Sequence, residues 1–118
     1  MKRKSYSGMD CPVALSLERV GDWWNILLIR NAFLGENRFD QFQKSLAIAP
    51  NTLTRRLNGL VDSGIFERRL YCEKPPRYEY HLTECGRDFG PVLRALLRWG
   101  EAHFVPAASA ENTTDTSL

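Results

Sequence analysis

Ile48-Ala49-Pro50-Asn51-Thr52-Leu53-Thr54-Arg55-Arg56-Leu57-Asn58-Gly59-Leu60-Val61-Asp62-Ser63-Gly64 is the stretch whose reading decides the fold. Leu53, Leu57, Leu60 and Val61 recur at i, i+4, i+7 and i+8, which predicts a helix with one apolar stripe. At about 100° per residue, Asn51, Thr52, Arg55 and Asn58 project to the opposite side. That face carries no carboxylate before Asp62. It holds a guanidinium, two amides and a hydroxyl, the groups that hydrogen-bond base edges and phosphates. Gly64 stops the helix. A strand is predicted over Ile65–Tyr71, a tip at Cys72-Glu73-Lys74-Pro75-Pro76, and a return strand over Arg77–Leu82, because two prolines cannot sit inside a central strand. A polar-faced helix followed by a basic hairpin is the pattern of a winged helix-turn-helix on DNA.

Upstream, Cys11-Pro12 opens a helix to about Val20, with Val13, Leu17 and Val20 on one face. Gly21-Asp22 breaks it, and Asp22 can cap the next helix. That helix runs from Trp23 to about Phe33 and is expected to bury Trp23, Ile26, Leu27 and the stem of Arg30. Leu34-Gly35-Glu36-Asn37 is a turn. Phe39 to Leu46 is a short helix with Phe39, Phe42 and Leu46 inward, and Ala47-Ile48-Ala49 is the tight turn before the polar-faced helix. Downstream, Thr83 is expected to cap one long helix ending near Phe104. Residues 1–10 and 105–118 are expected to be a disordered basic start and a disordered tail, leaving one domain over 11–104.

The chain of 118 residues is the size of a single domain with one core. Its hydrophobic fraction of 43% and charged fraction of 25% are those of a globular protein. No apolar run approaches the roughly 20 residues of a membrane span. The basic start leads into no apolar segment of the secretory kind. Three widely spaced cysteines, Cys11, Cys72 and Cys85, argue against a disulfide framework and for a reducing cytoplasm. No Cys/His cluster points to a metal, and no cofactor is expected. The net charge of +2 is uninformative, but its distribution is not: Arg38 to Arg77 holds eight basic and four acidic residues, net +4, against −2 elsewhere.

These residues together carry a family resemblance. Cys11-Pro12, Gly21-Asp22-Trp23, Gly35 with Arg38-Phe39, Leu53-x-x-Arg56-Leu57-x-x-Leu60-x-x-x-Gly64, Glu67-Arg68-Arg69, Pro76-Arg77-x-Glu79-Tyr80-x-Leu82-Thr83-x-x-Gly86 and Trp99-Gly100 resemble the HxlR-type transcriptional regulators over about residues 11–104. The resemblance implies a mainly α fold with a small β-hairpin, a dimeric winged helix-turn-helix of MarR-like architecture. It also implies operator binding as repressor or activator, and in several members sensing of electrophiles or oxidants at the cysteine matching Cys11. One departure is Gly21-Asp22-Trp23, where the family usually has Gly-Lys-Trp, so a positive charge is missing there.

The candidate DNA-binding residues are Asn51, Thr52, Arg55, Arg56 and Asn58 on the helix, and Lys74 and Arg77 at the wing. Asn51 has the alternative of capping only, Arg56 of pairing with a carboxylate, and Arg77 of pairing with Glu73. Arg68 and Arg69 point to opposite faces of a strand, so at most one faces DNA. Near the C-terminus, Phe89, Leu93, Leu96, Leu97, Gly100 and Phe104 form one apolar stripe, with Val92, Trp99 and His103 beside it. So wide an arc needs cover on two sides. A twin subunit supplies the second side, with Val92, Leu96, Trp99 and His103 at the interface; the alternative cover is the N-terminal helix. Cys11 is the candidate redox sensor: the positive end of a helix dipole stabilises a thiolate there. The alternative is a small buried apolar residue.

Two other function classes are open to these residues. A thiol enzyme would pair Cys11 or Cys85 with His81 or His103, yet no orienting group or Gly-rich phosphate loop accompanies them. A winged helix used only for protein contacts would present an apolar or acidic face, and this one is basic and polar. The partners expected are a double-stranded DNA operator and a second copy of the chain, with no membrane.

Overall fold

The computed structural model describes residues 11–106, in the order α1 (Pro12–Val20), α2 (Trp23–Phe33), α3 (Phe39–Leu46), α4 (Pro50–Asp62), β1 (Phe66–Glu73), β2 (Pro76–Leu82), α5 (Glu84–Arg87) and α6 (Gly90–His103). The expected disordered start lies outside the described residues, as does the expected tail beyond the bend at Val105-Pro106.

Local chemistry sets most boundaries. Asp22 caps α2, its Oδ1 accepting from the Trp24 backbone N–H at 2.9 Å. The Gln41 Oε1 accepts from the backbone N–H groups of Asn37 and Arg38 at 2.9 and 3.0 Å, which closes the start of α3. Ala47 ends α3 in the left-handed region at φ 51°, and Ile48, only 3% exposed, plugs the turn into the core. Pro50 begins α4, where a missing N–H costs nothing. Gly64 ends it at φ 78°, with Ile65 N–H donating back to the Leu60 carbonyl at 2.9 Å.

The core sits beneath α4. Leu53, Leu57 and Leu60 of α4, Leu28 and Ile29 of α2, and Phe42 of α3 are fully buried. They pack with Ile65, Phe66, Tyr80 and Leu93 in one cluster. The rings of Phe42 and Phe66 stack with centroids 6.3 Å apart, tying α3 to the root of the hairpin. The hairpin is antiparallel, Phe66 facing Leu82 and Arg68 facing Tyr80, with an irregularity between Leu70 and Cys72. Its turn is Lys74-Pro75, joined by a cis peptide bond, and β1 extends two residues further than expected.

Two expectations are corrected, the burial of Trp23 and the single C-terminal helix. Trp23 is 70% exposed, and Leu28 and Ile29 take the core positions instead. Val13 and Leu17 of α1 are exposed, while Ala14 and Val20 are buried. The single long C-terminal helix is two: Thr83 caps the short α5 through its Oγ1, and the chain turns at Asp88-Phe89 before α6. Pro91 has no N–H to donate to the Arg87 carbonyl, so a helix does not run through this point. Leu96 and Phe104 of the first apolar stripe are 41% and 68% exposed.

Candidate nucleic-acid interface

α3, the Ala47–Ala49 turn and α4 form the helix-turn-helix, and β1–β2 is the wing. With Leu53, Leu57 and Leu60 turned inward, the outward line of α4 is Asn51, Arg55 and Asn58, all exposed, with Thr52 half-buried beside them. Lys74 and Arg77 are exposed at the wing tip. Among the described residues, neither Arg55 nor Arg77 pairs with a carboxylate, so the expected alternative of an Arg77–Glu73 bridge is not formed. Exposed cations without protein partners are free to meet phosphates.

Arg56 is different. It sits on the flank of α4, and its Nη2 lies 3.1 Å from the Asp22 Oδ2 at the start of α2. The alternative of a carboxylate partner is the one realised, which corrects its assignment as a free DNA contact. Arg69 is likewise engaged, 3.1 Å from Glu67. Arg68 lies over the Tyr78 ring, 4.4 Å from its centroid.

The wing is held to the helix-turn-helix by a clamp that the sequence pattern did not single out. Arg38, at the N-cap of α3, donates through Nε and Nη2 to the Glu79 Oε2 at 3.3 and 3.2 Å. The same guanidinium lies 4.0 Å from the centroid of the Tyr71 ring. The other carboxylate oxygen of Glu79 meets His81 Nε2 at 2.9 Å. Tyr80 N–H donates to the Asn37 carbonyl at 2.7 Å, and Arg38 forms an isolated antiparallel β-bridge with Glu79. The His81 hydrogen bond, then that of Arg38, holds the Glu79 carboxyl below its ordinary value. Arg38 and Glu79 both stand in the motifs quoted above, but the sequence does not show that they pair. Burial raises the Tyr80 phenol above its ordinary value, with Arg68 opposing.

α1 and α6 present an apolar surface. Val92 is 46% and Trp99 59% exposed, and His103 is exposed beside them. Trp99 meets the Phe104 ring edge-on at 5.1 Å. Val13 and Leu17 of α1 and Val92 and Leu96 of α6 border a groove of about 520 Å³ with Cys85 on its wall. α1 therefore flanks this surface without covering it. Cys11 is exposed at the N-cap of α1, which corrects the alternative of a buried apolar cysteine.

No helix among the described residues is long and apolar enough to cross a membrane. The chain is 43% identical over 91 residues to an HTH-type transcriptional regulator of Mycobacterium tuberculosis, a match covering 77% of this chain and 58% of that protein. The chain thus spans less than two thirds of the first curated relatives it matches. Among solved structures it is similar to the transcription factor PA1607, with a TM-score of 0.81, 41% identity, and coverage of 88% of this chain and 72% of that one. It is also similar to the redox regulator HypR in its oxidised form, with a TM-score of 0.72, 34% identity, and coverage of 81% of this chain and all of that one. The model of the HxlR-like helix-turn-helix family matches residues 19–108, so the chain belongs to that family.

Proposed function

We propose that this chain is a sequence-specific, double-stranded-DNA-binding transcriptional regulator that acts as a symmetric homodimer and by binding rather than catalysis. The observation that carries this is the outer face of α4: Asn51, Arg55 and Asn58 stand exposed on a helix whose other side is locked into the core. α4 enters the major groove, where Arg55 reads a base edge and Asn51, Thr52 and Asn58 contact bases or backbone. Lys74 and Arg77 of the wing hold the adjacent phosphates. Val92, Leu96, Trp99 and His103 join the two subunits. Two-fold symmetry then sets the recognition helices about 34–36 Å apart, on consecutive major grooves.

The test is operator binding by wild type and Arg55→Ala over a salt series. The operator is first found by footprinting the promoter beside the gene. Arg55→Ala costs about 1–3 kcal/mol on the operator and less on unrelated duplex, provided Arg55 is bidentate to a base. Equal losses on both duplexes make Arg55 a phosphate contact. No salt-dependent binding by wild type removes the reading and leaves a protein-contact module.

A second reading, thiol-based control, is favoured by the exposure of Cys11 at a helix start and by the similarity to a redox regulator. Under it, diamide or a quinone changes operator binding in wild type and not in Cys11→Ser. An equal response in Cys11→Ser excludes Cys11 as the switch.

A further inference from the structure

We infer that Asp22 lowers the DNA affinity of this protein by holding Arg56 out of reach of the phosphates, so that it acts as an affinity-setting residue. The inference rests on the reading of α4 as the helix in the major groove. An α-helix with its side chains is about 10–12 Å across and the major groove about 12 Å wide. Side chains on the outward line of α4 therefore face the groove floor, while those about 100° to either side face the phosphate ridges. Arg55 lies on the outward line. Arg56, one residue on, lies on the flank with Thr52 and Gly59, where an arginine is placed for a phosphate.

Arg56 instead turns toward the start of α2. Its Nη2 is 3.1 Å from Asp22 Oδ2, while Asp22 Oδ1 caps the helix through Trp24 N–H at 2.9 Å. One carboxylate thus does two jobs with its two oxygens. The pair is electrically neutral, releases no counterion on binding, and sets a negative charge beside the path of the phosphates. The ion pair reaches Asp22 through Nη2, and Arg56 Nε is buried without a hydrogen-bond partner. The pair borders an open polar cleft that Glu18, Arg19, Asn25 and Ser63 also line, so Arg56 has room to move once released.

Asp22→Asn separates the two jobs. Asparagine caps a helix as well as aspartate does, but it carries no charge, and with its one oxygen on the cap it turns an NH2 group toward the guanidinium. The variant therefore keeps α2 and frees Arg56. The logarithmic salt slope of binding steepens by about 0.9 per protomer, or about 1.8 for a symmetric dimer. Between 200 and 50 mM salt the variant then gains about twelvefold more affinity than wild type. Arg56→Ala changes the slope little in the wild-type background and cancels the gain in the Asp22→Asn background, a coupling that a purely structural role for the pair does not produce. Asp22→Ser, a second capping substitution, reproduces the gain if Asn at this position disturbs folding. An unchanged or shallower slope in both Asp22 variants overturns the inference, as does a slope that falls by one unit in Arg56→Ala alone. Arg55→Ala in the same series separates this failure from a wider one. Loss of affinity there with no gain from Asp22→Asn sinks only the role of Asp22, while no effect of Arg55→Ala removes the groove-facing α4 and the inference with it.

Discussion

Gly86→Ala tests the seat that joins the wing to the C-terminal helices. Gly86 is buried in α5, and a Cβ added there lies 2.4 Å from the Ile65 carbonyl oxygen and 2.9 Å from Leu82 Cδ2. The Ile65 carbonyl cannot swing aside, because it accepts from Thr83 N–H at 3.0 Å and from Thr83 Oγ1 at 3.1 Å. Relief to an ordinary contact near 3.4 Å requires α5 to back away by about 1 Å. Overpacking of this kind costs about 1–3 kcal/mol. The helix preference of alanine offsets up to about 1 kcal/mol, less in a helix of four residues. A net loss of about 1–2 kcal/mol lowers the melting temperature by about 4–15 °C. The assay is thermal unfolding followed by circular dichroism at one fixed protein concentration, since dimerisation makes the midpoint concentration-dependent. Gly59→Ala is the counterpart: nothing lies within 4 Å of its Cβ in the interior of α4, so that variant gains up to about 1 kcal/mol. If Gly86→Ala melts at or above wild type, α5 is not seated against the start of β1 as described.

Three further outcomes follow from the same geometry. Arg77→Ala weakens binding to every duplex alike and makes the salt slope shallower by about 0.9 per protomer; an unchanged slope with unchanged affinity takes the wing off the backbone. Because His81 and Arg38 hold the Glu79 carboxyl below its ordinary 4.5, the stabilisation it gives is complete above that value and lost as pH falls through the lower folded value. Glu79→Gln therefore melts below wild type near neutral pH, and the gap closes in acid well below 4.5; a gap constant with pH refutes the clamp. In sedimentation the chain runs near 27 kDa, twice 13.6 kDa, and Trp99→Glu yields monomer or insoluble protein because it buries a charge in the interface; a wild-type monomer that still protects a palindrome overturns the dimer.

The helices with clear end signals were legible in the sequence. Trp23–Phe33 and Phe39–Leu46 were read to the residue, and the polar-faced helix differed only at Ser63, which caps it rather than ending it. Asp22, Pro50 and Gly64 are local signals that need no tertiary information. Burial was harder where periodicity is weak. Trp23-Trp24-Asn25-Ile26-Leu27-Leu28-Ile29 is apolar nearly all round, so its pattern does not choose which side faces inward; contact with α4 and the hairpin does. The exposure of Val13, Leu17, Leu96 and Phe104 was illegible for a related reason: an apolar face reads the same whether its cover is this chain or another. In the candidate interface, the outward line of α4 follows from helical angle alone. The engagement of Arg56 does not, because its partner lies on another helix 34 positions away in the chain. The Arg38–Glu79 clamp is a non-local contact of the same kind, 41 positions apart.

Under the proposed reading as a homodimer, the distribution of charge gives the second copy a role in DNA binding. Within the proposed interface Arg55, Lys74 and Arg77 are exposed and pair with no carboxylate, whereas Arg56 and Arg69 lie against Asp22 and Glu67 and Arg68 lies over the Tyr78 ring. Two phosphate contacts, from Lys74 and Arg77, give a logarithmic salt slope of about −1.8 for one protomer. A slope that shallow leaves one protomer with a small part of the electrostatic attraction of a protein that makes about 6–10 phosphate contacts. Joining two protomers through α1 and α6 doubles the slope to about −3.6, which narrows the gap. The apolar surface with Trp99 at its centre and the sparse cations of the recognition face are thus two sides of one design: weak half-sites, made selective because both must fit at a fixed spacing. A wild-type slope of about −3.6 on a palindrome, falling by about half on a single half-site, is the outcome expected. Equal slopes on the full site and the half-site would show that one protomer binds alone, and the link between the apolar surface and DNA binding would be broken.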